Sequence, residues 1–367
     1  MKFSISREAL LRPLTLVAGV VERRQTLPVL SNVLLSVDEH ELSLTGTDLE
    51  VELVGRTVPD SVEQPGSATV PARKLMDICK SLPEGSVISV TVEDSRAVVR
   101  AGRSRFTLST LPVAEFPNID EGQSKAEITL TRGTVKHLID ATSFAMAQQD
   151  VRYYLNGMLI DLSDQLVRAV ATDGHRLAMC AKPAEFALET PTKMILPRKG
   201  VIELSRLLDD SDEPLTLIIG DNHLRARTGN YTFTSKLVDG KFPDYERVVP
   251  KNGDKQFMAD RAELRQVLSR TAILSNEKYR GVRLNLEEGT LRVTANNPDQ
   301  EEAEEIVSVE YSGAPLEIGF NVGYLVDVLS VLGTEQVQMT LSDPNSSALM
   351  EATGGSDALY VVMPMRL

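Results

Sequence analysis

Three polar residues at matching positions are the first candidates for chemistry in this chain. Asp48, Asp173 and Asn297 each end a segment of alternating apolar residues. Two carboxylates within several Å of each other can share general acid and base work. The third position carries an amide, however, and equivalent positions in separate domains lie far apart unless they meet at a symmetry axis. We therefore interpret the three residues as Asx turns that close strands.

Nucleophilic catalysis is a second chemistry to consider, because His175 follows Asp173 after a single glycine. Residues this close cannot form a triad without a nucleophile from elsewhere, and the chain has no G-x-S-x-G segment. The histidines at 40, 137, 175 and 223 show no metal-ligand spacing, and the sequence contains neither phosphate-loop motif, G-x-x-x-x-G-K-[ST] or G-x-G-x-x-G. The sequence therefore favours a protein that is not an enzyme and has no metal or cofactor; a hydrolase using Asp173 and His175 is the catalytic alternative.

The segments that carry these residues recur along the chain. Asp48 and Asp173 are 125 residues apart, and Asp173 and Asn297 are 124 apart. Arg73 and Arg198, which follow Val-Pro-Ala and Leu-Pro, are again separated by 125 residues. A unit of this length is a domain rather than a solenoid repeat. The 367 residues therefore predict three copies of one fold. The predicted domains are 1–120, 128–247 and 254–367.

Each copy is predicted to open with a short strand and a helix. These first helices are predicted at Arg7–Val21, Arg132–Ala147 and Asp260–Leu274. Their predicted N-caps are Ser6, Thr131 and Asp260. Strand pairs, a second helix and further alternating strands complete each copy. We expect an α+β fold in which two helices of each domain pack on antiparallel sheets, with polar linkers at 118–126 and 250–256.

The composition is that of an ordinary globular chain. Apolar residues make up 42%, Trp is absent, and Cys79 and Cys180 are too few for a disulfide framework or a zinc site of cysteines. We expect both to be reduced core cysteines. Glu8, Arg12 and Pro13 interrupt the first apolar run, which excludes a signal peptide. With no stretch near the roughly 20 apolar residues of a membrane span, we expect a cytoplasmic protein.

The net charge of −13, taken alone, argues against nucleic-acid binding. The distribution of charge differs from the total. Six predicted helical windows hold fifteen Lys or Arg and seven Asp or Glu. Either these helices face a polyanion, or Lys and Arg are enriched because they are good helix formers. The windows are 7–24, 73–80, 132–142, 198–206, 261–270 and 320–332.

The first and last predicted domains differ in the sign of their local charge. The run 299–305 is acidic, whereas Lys74, Arg103 and Arg105 are basic. Complementary edges favour head-to-tail association, which closes into a ring if the curvature allows. Phe106 and Ile273–Leu274 are either apolar centres of that contact or ordinary core residues. The apolar end of the chain predicts a buried last strand or the edge of a binding pocket.

Several segments together resemble one family over the whole length of the chain. They read LPVLSN (Leu27–Asn32), GTDLE (Gly46–Glu50), VRYYLNG (Val151–Gly157), TDGHRL (Thr172–Leu177), FPDY (Phe242–Tyr245) and MPMRL (Met363–Leu367). The chain resembles the bacterial DNA polymerase III β subunits, the sliding clamps, of Gram-negative type. The resemblance implies a head-to-tail homodimeric ring of six like domains, with helices inside and sheets outside.

The implied function is to encircle duplex DNA and tether the replicative polymerase, which gives it processivity. DNA would be held topologically and independently of sequence. The implied protein partners are the DNA polymerase III alpha subunit, the clamp-loader delta subunit and other polymerases and repair proteins, all through a short peptide motif. A three-domain scaffold that binds peptides and never encircles DNA is the alternative.

The resemblance also assigns three sets of residues. DNA contacts are assigned to Arg24, Arg73, Gln149, Tyr153, Tyr154, Arg198 and Lys199. The pocket for partner peptides is assigned to Leu155, Thr172, Gly174, His175, Arg176, Leu177, Pro243, Arg247, Val248, Val361, Val362, Met363, Pro364, Met365 and Arg366. The dimer interface is assigned to Lys74, Arg103, Arg105, Phe106, Ile273, Leu274, Asp299, Glu302 and Glu305. Glu246 departs from the family pattern, which often has a basic residue there, and this affects the charge expected of the peptide.

Overall fold

The computed structural model describes residues 1–22, 27–117, 119, 124–186, 188 and 190–366. The α-helices of these residues are α1 (Arg7–Val20), α2 (Ala72–Ser81), α3 (Arg132–Thr142), α4 (Arg198–Leu207), α5 (Arg261–Thr271) and α6 (Val322–Val331). No helix in this part of the chain is long and apolar enough to cross a membrane.

The strands fall into three groups that follow the repeat. The first group is β1 (Lys2–Ser6), β2 (Asn32–Val37), β3 (Leu42–Thr47), β4 (Val51–Thr57), β5 (Ser61–Gln64), β6 (Gly66–Pro71), β7 (Val87–Glu93), β8 (Arg96–Ala101) and β9 (Ser104–Ser109). The second is β10 (Ala126–Thr131), β11 (Gly157–Ser163), β12 (Leu166–Thr172), β13 (Arg176–Pro183), β14 (Thr192–Pro197), β15 (Pro214–Ile219), β16 (His223–Thr228) and β17 (Tyr231–Lys236). The third is β18 (Lys255–Asp260), β19 (Gly281–Glu287), β20 (Thr290–Asn296), β21 (Glu302–Ser308), β22 (Leu316–Asn321), β23 (Gln336–Leu341), β24 (Ala348–Ala352) and β25 (Ala358–Val362).

The first helix of each repeat begins at its predicted cap. The side chain of Ser6 accepts a hydrogen bond from the backbone N–H three residues later at 3.4 Å, Thr131 does so at 3.1 Å, and Asp260 at 2.7 Å. Such bonds satisfy N–H groups that have no partner inside the helix. The predicted N-caps are therefore confirmed in all three repeats, and the predicted helix starts are confirmed for α1 and α3, whereas α5 begins one residue later than predicted, at Arg261.

Some of the predicted ends are wrong. α3 ends at Thr142 and α5 at Thr271, and each continues as a 3-10 turn, at Ser143–Ala145 and Ala272–Leu274. The predicted linkers also run too far, because β10 begins at Ala126 and β18 at Lys255. Both strands alternate polar and apolar residues, and the polar face made their first residues look like linker.

Two of the three polar residues after β3, β12 and β20 form the predicted Asx turns. One side-chain oxygen of Asp48 accepts two backbone N–H groups at 2.9 and 2.7 Å, and Asp173 does the same at 2.9 and 3.1 Å. Asn297 instead accepts the backbone N–H of Glu301, four residues later, at 3.0 Å, which closes a wider turn. The structural interpretation is therefore confirmed for Asp48 and Asp173, and the Asx turn predicted at Asn297 is wrong.

The described residues form two compact units. Unit one contains Met1–Lys136 and Lys199–Leu237, and unit two contains His137–Arg198 and Val238–Leu367. In unit one, α1 packs on α2 and on β3 and β4. In unit two, α5 packs on α6, β20 and β21. Each unit buries large apolar side chains, among them Phe3 and Phe233 in unit one and Phe257 and Tyr360 in unit two.

Each unit has one eight-stranded antiparallel sheet that joins two repeats. In unit one its order is β10-β15-β16-β17-β4-β3-β2-β6, and in unit two it is β14-β11-β12-β13-β25-β24-β23-β18. The joining pairs are β4 with β17 and β13 with β25. β4 and β13 hold the same position in their repeats, and so do β17 and β25. Unit one also has the sheet β5-β1-β7-β8-β9, and unit two has β21-β20-β19-β22.

Candidate functional site

The residues assigned to the peptide pocket come from strand ends that meet in unit two. Leu177 pairs with Thr172 on one side and with Val361 on the other, which aligns β12, β13 and β25. The backbone N–H of Met363 donates to the carbonyl of His175 at 2.9 Å. This bond holds the C-terminal tail beside the turn that precedes β13. Gly174 in that turn has a φ of 89°, a left-handed conformation that favours glycine.

The floor of this pocket is one apolar cluster. Its buried members are Leu159, Val170, Leu177, Ile195, Phe242, Tyr245 and Val361. Half-buried side chains that pack on it include Tyr154, Met179, Val248 and Leu359. The structure thus brings the predicted residues Leu177, Val248 and Val361 together. Tyr154, which was assigned to DNA, lies with them.

The rim of the pocket is more polar and more exposed. His175, Pro243, Arg247 and Met363 are exposed, whereas Pro364 is half-buried. Met365 and Arg366 do not join this group: the N–H of Met365 donates to the carbonyl of Gly319 on β22 at 2.9 Å, and both residues line a separate cavity beside Tyr279 and Asn297. Arg247 forms an ion pair with Asp244 at 2.8 Å. Exposed methionine is flexible and polarizable, so it adapts to apolar side chains of different shape.

Arg176 is held by several partners and braces the rim. Its guanidinium forms ion pairs with Asp173 at 3.1 Å and with Asp327. It also donates to the carbonyl of Phe144 at 2.9 Å and lies 4.6 Å from the ring centroid of Tyr324. Cation–π contacts of this kind strengthen when they are shielded from water. Sequence reasoning missed Tyr324 and Asp327, whose only signal is their spacing on one face of α6.

A buried carboxylate holds the 3-10 turn Tyr245–Arg247 on β11. The hydroxyl of Tyr245 donates to Asp161 at 2.9 Å, and Asp161, 1% exposed, also accepts from Ser163 at 2.9 Å and pairs with Lys193 at 3.1 Å. Burial acts to raise the pKa of Asp161, but these three partners outweigh it and the pKa falls. Burial and the adjacent carboxylate raise the pKa of Tyr245. No local pattern in the sequence indicates this pair, because its members are far apart in the chain.

The residues assigned to DNA differ in their exposure and in the hydrogen bonds that their side chains make within the chain. Arg24 lies outside the described residues. Gln149 is exposed, and Tyr153 is 58% exposed. Arg73 donates to the carbonyl of Val21 at 3.2 Å.

The remaining two basic residues make similar contacts. Arg198 donates to the carbonyl of Met146 at 3.3 Å, and Lys199 donates to that of Val20 at 3.0 Å. Lys199 is also paired with Glu22 at 2.9 Å and with Asp48. Its charge is therefore neutralised inside unit one.

The residues assigned to the dimer interface lie mostly at the surface. In unit one, Lys74, Arg103 and Arg105 are exposed. In unit two, Ile273 is 75% exposed in the 3-10 turn after α5. The others are Phe106 and Leu274, which are half-buried, Asp299 and Glu302, which are exposed, and Glu305, which pairs with Arg270.

Comparison with known proteins identifies the family. Models of the DNA polymerase III beta subunit match residues 1–120 (N-terminal domain), 129–244 (central domain) and 246–366 (C-terminal domain). The beta sliding clamps of Pseudomonas aeruginosa and Escherichia coli K12 are 62% and 57% identical over the full length of both chains. The chain belongs to the beta sliding clamp family. A crystal structure of the Pseudomonas aeruginosa clamp bound to griselimycin superposes with a TM-score of 0.97 at 62% identity and covers 100% of both chains.

Three domains of the clamp fold therefore make up the chain, and each contributes two helices and a set of antiparallel strands. The match to Gram-negative clamps confirms the resemblance seen in the sequence. It also confirms the α+β class of the repeated domain.

We predict that the Tyr245–Asp161 pair stabilises unit two. Tyr245→Phe removes one buried hydrogen bond to a charged acceptor and is expected to lower the free energy of unfolding by about 1.5–3 kcal/mol. Urea unfolding followed by circular dichroism measures this change. Tyr153→Phe is the control, because that ring is exposed. Equal unfolding midpoints for the two variants would contradict the prediction.

The same pair predicts a dependence on pH. The pKa of Asp161 in the folded chain lies below its unfolded value of about 4. The stabilisation that its ionised carboxylate provides is therefore fully present above about pH 4. It is lost as the pH falls through the folded pKa. The stability difference between the natural chain and Asp161→Asn should therefore shrink below about pH 4.

Proposed function

We propose that this beta sliding clamp acts as a ring of two chains joined head to tail around duplex DNA, and that it has no catalytic activity. The clamp tethers the replicative polymerase to its template and so confers processivity. The observation that carries this conclusion is the match to beta sliding clamps over the whole chain, in all three domains. We also propose a cytoplasmic location.

Sheet topology supports the head-to-tail contact. The pairs β4–β17 and β13–β25 join consecutive repeats through equivalent strands. The strands that correspond to them at the two ends of the chain are β21 and β9. In the described residues each is the last strand of its sheet. Pairing β21 of one chain with β9 of another would repeat the same junction and would cover both edges.

Charge supports the same pairing. β9 begins beside Arg103 and contains Arg105, whereas β21 contains Glu302 and Glu305. Complementary charge favours this contact and disfavours pairing of either edge with itself. Ile273 would lose its exposure in such an interface. With two copies the contact forms twice, which gives the closed ring of six domains that we propose.

Topological retention explains how a chain with a net charge of −13 can hold DNA. Release then requires the ring to open, so the inner contacts can be weak and independent of sequence. Among the described members of the proposed lining, Arg73 and Arg198 are basic residues without a carboxylate in an ion pair, and Gln149, Tyr153 and Tyr154 are uncharged. We assign Lys199 a smaller part, because Glu22 and Asp48 pair with it.

The peptide pocket of unit two is the proposed docking site for partners. Its apolar floor and methionine rim suit the apolar side chains of a short motif. We propose that the DNA polymerase III alpha subunit, the clamp-loader delta subunit and other polymerases and repair proteins present such motifs. Glu246 is exposed beside the pocket and would disfavour acidic residues nearby.

The first prediction from this proposal concerns the interface. Replacing both Ile273 and Leu274 with Ala should convert dimers into monomers, because each truncation costs roughly 2 kcal/mol or more when the side chain is buried in the contact. Sedimentation velocity at micromolar concentration measures the change. Val58→Ala, which truncates another exposed apolar residue, should leave the dimer intact. A double variant that still sediments as a dimer would refute this interface.

The second prediction concerns retention on DNA. Clamps loaded onto nicked circular DNA should remain bound, and they should be lost after the circle is cut, because the ring can slide off a free end. Gel filtration of the DNA before and after cutting measures both states. Equal retention on circular and linear DNA would mean ordinary surface binding. No retention on either would favour the peptide-binding scaffold.

The third prediction concerns the pocket. Removing the last five residues, Met363–Leu367, should weaken binding of a polymerase tail peptide by at least about tenfold, since the tail supplies part of the rim. Fluorescence anisotropy with a labelled peptide measures the affinity, and sedimentation should still report dimers. Unchanged peptide affinity would remove these residues from the pocket.

A further inference from the structure

Three side chains of different chemistry meet beside the strand pair that joins the second and third repeats. His137 lies on α3, Cys180 on β13 and Asp357 immediately before β25. The ring nitrogen, the sulfur and the carboxylate oxygen that they offer all lie within 4.8 Å of one another. All three belong to unit two, and none belongs to the peptide pocket.

The backbone fixes two of these residues as neighbours. Cys180 pairs with Ala358 across the β13–β25 ladder, and the N–H of Ala181 donates to the carbonyl of Asp357 at 2.7 Å. The third residue is oriented by its own hydrogen bond, since His137 Nε2 lies 3.1 Å from Asp357 Oδ2. The positions of Cys180 and Asp357 are therefore determined by the strand pairing of the fold itself.

We propose that His137, Cys180 and Asp357 form a binding site for a divalent transition-metal ion, with zinc as the best match. Sulfur, imidazole nitrogen and carboxylate oxygen are the three ligand types that zinc takes in proteins. Bonds of about 2.0–2.3 Å to zinc place ligand atoms about 3–4 Å apart. The three ligand atoms would move closer together when the ion binds. Water would complete a tetrahedral site.

A lysine ammonium group competes with the proposed ion for the carboxylate of Asp357. Lys182 lies two residues after Cys180 on β13, and its ammonium group pairs with the carboxylate of Asp357. Burial opposes ionisation of Asp357, but the hydrogen bonds from Lys182 and His137 outweigh it and lower its pKa. A bound ion would take over the electrostatic role of the lysine.

The thiol must lose a proton when the ion binds. Burial is the main cause that raises the pKa of Cys180 to about 12, and nearby Asp357 adds to it. A coordinated thiol is deprotonated by the ion itself, so binding should release a proton. Cys79 offers a comparison, because burial raises its pKa also, to about 11. Among the described residues only Cys180 belongs to a metal-ligand cluster of this kind.

The bound ion would connect three segments of unit two. It would tie α3 to β13 and β25, the strands whose other ends carry His175 and Val361 of the peptide pocket. Anything that binds the folded state alone raises its stability. The ion would therefore strengthen the junction between the second and third domains.

Cobalt absorption tests this site on the full-length clamp. After removal of metals with a chelator, titration with Co²⁺ should produce a near-ultraviolet thiolate-to-cobalt band that saturates at one equivalent per chain, and Zn²⁺ should displace it. Cys180→Ala should abolish the band, whereas Cys79→Ala should keep it. Absence of the band in the natural chain, or its persistence in Cys180→Ala, would overturn the proposal.

Variants of the other ligands separate metal binding from folding. His137 and Asp357 are partly exposed, so His137→Gln and Asp357→Asn should fold and yet weaken Co²⁺ binding at least about tenfold. Lys182→Met removes the competing cation and should tighten binding. The midpoint temperature of thermal unfolding should rise with added Zn²⁺ for the natural chain and should not rise for the ligand variants. Unchanged Co²⁺ affinity in both His137→Gln and Asp357→Asn would also overturn the site.

Discussion

The antiparallel pairing of β13 with β25 is the constraint on which unit two depends. Its register sets Leu177 opposite Val361 and Cys180 opposite Ala358. Side chains alternate between faces along a strand, so a slip of β25 by one residue would turn Val361 out of the apolar cluster. The same slip would separate Cys180 from Asp357. One ladder therefore determines both the pocket floor and the candidate metal site.

The equivalent pair β4–β17 gives unit one the same kind of junction. Each junction uses backbone hydrogen bonds, which any sequence can form, so side chains must provide selectivity. At the strand edges of the proposed ring that selectivity comes from charge, with Arg105 on β9 and Glu302 on β21. In the proposed ring, the acidic β21 edge and the basic β9 edge are thus parts of one contact.

Local signals in the sequence predicted much of the fold. The caps Ser6, Thr131 and Asp260, the Asx turns and the alternating strands each depend on residues a few positions apart. The strand joins depend on pairing across more than a hundred residues, and no local pattern specifies the partner. Helix ends were predicted less well, because the 3-10 turns after α3 and α5 continue the apolar spacing of the helices.

The candidate sites show the same limit more sharply. Spacing of histidines gave no metal site, since His137, Cys180 and Asp357 come from three segments that only the fold brings together. Tyr324 and Asp327 support Arg176 from a helix about 150 residues away. Family resemblance assigns residues to the proposed pocket, whereas these supporting partners have no local signal in the sequence.

Repeated basic residues need a further criterion before they are assigned to DNA. Arg73 and Arg198 occupy equivalent positions, and each donates to a carbonyl at the end of the first helical segment of its repeat: Val21 after α1, or Met146 after the 3-10 turn that continues α3. Cations stabilise helix C-termini in this way whatever the protein binds. Equivalence in the repeat is therefore explained by structure alone. A residue that contacts DNA needs positive charge that no group within the chain neutralises. Lys199 has the least such charge among the assigned basic residues, because its ammonium group contacts two carboxylates and a carbonyl.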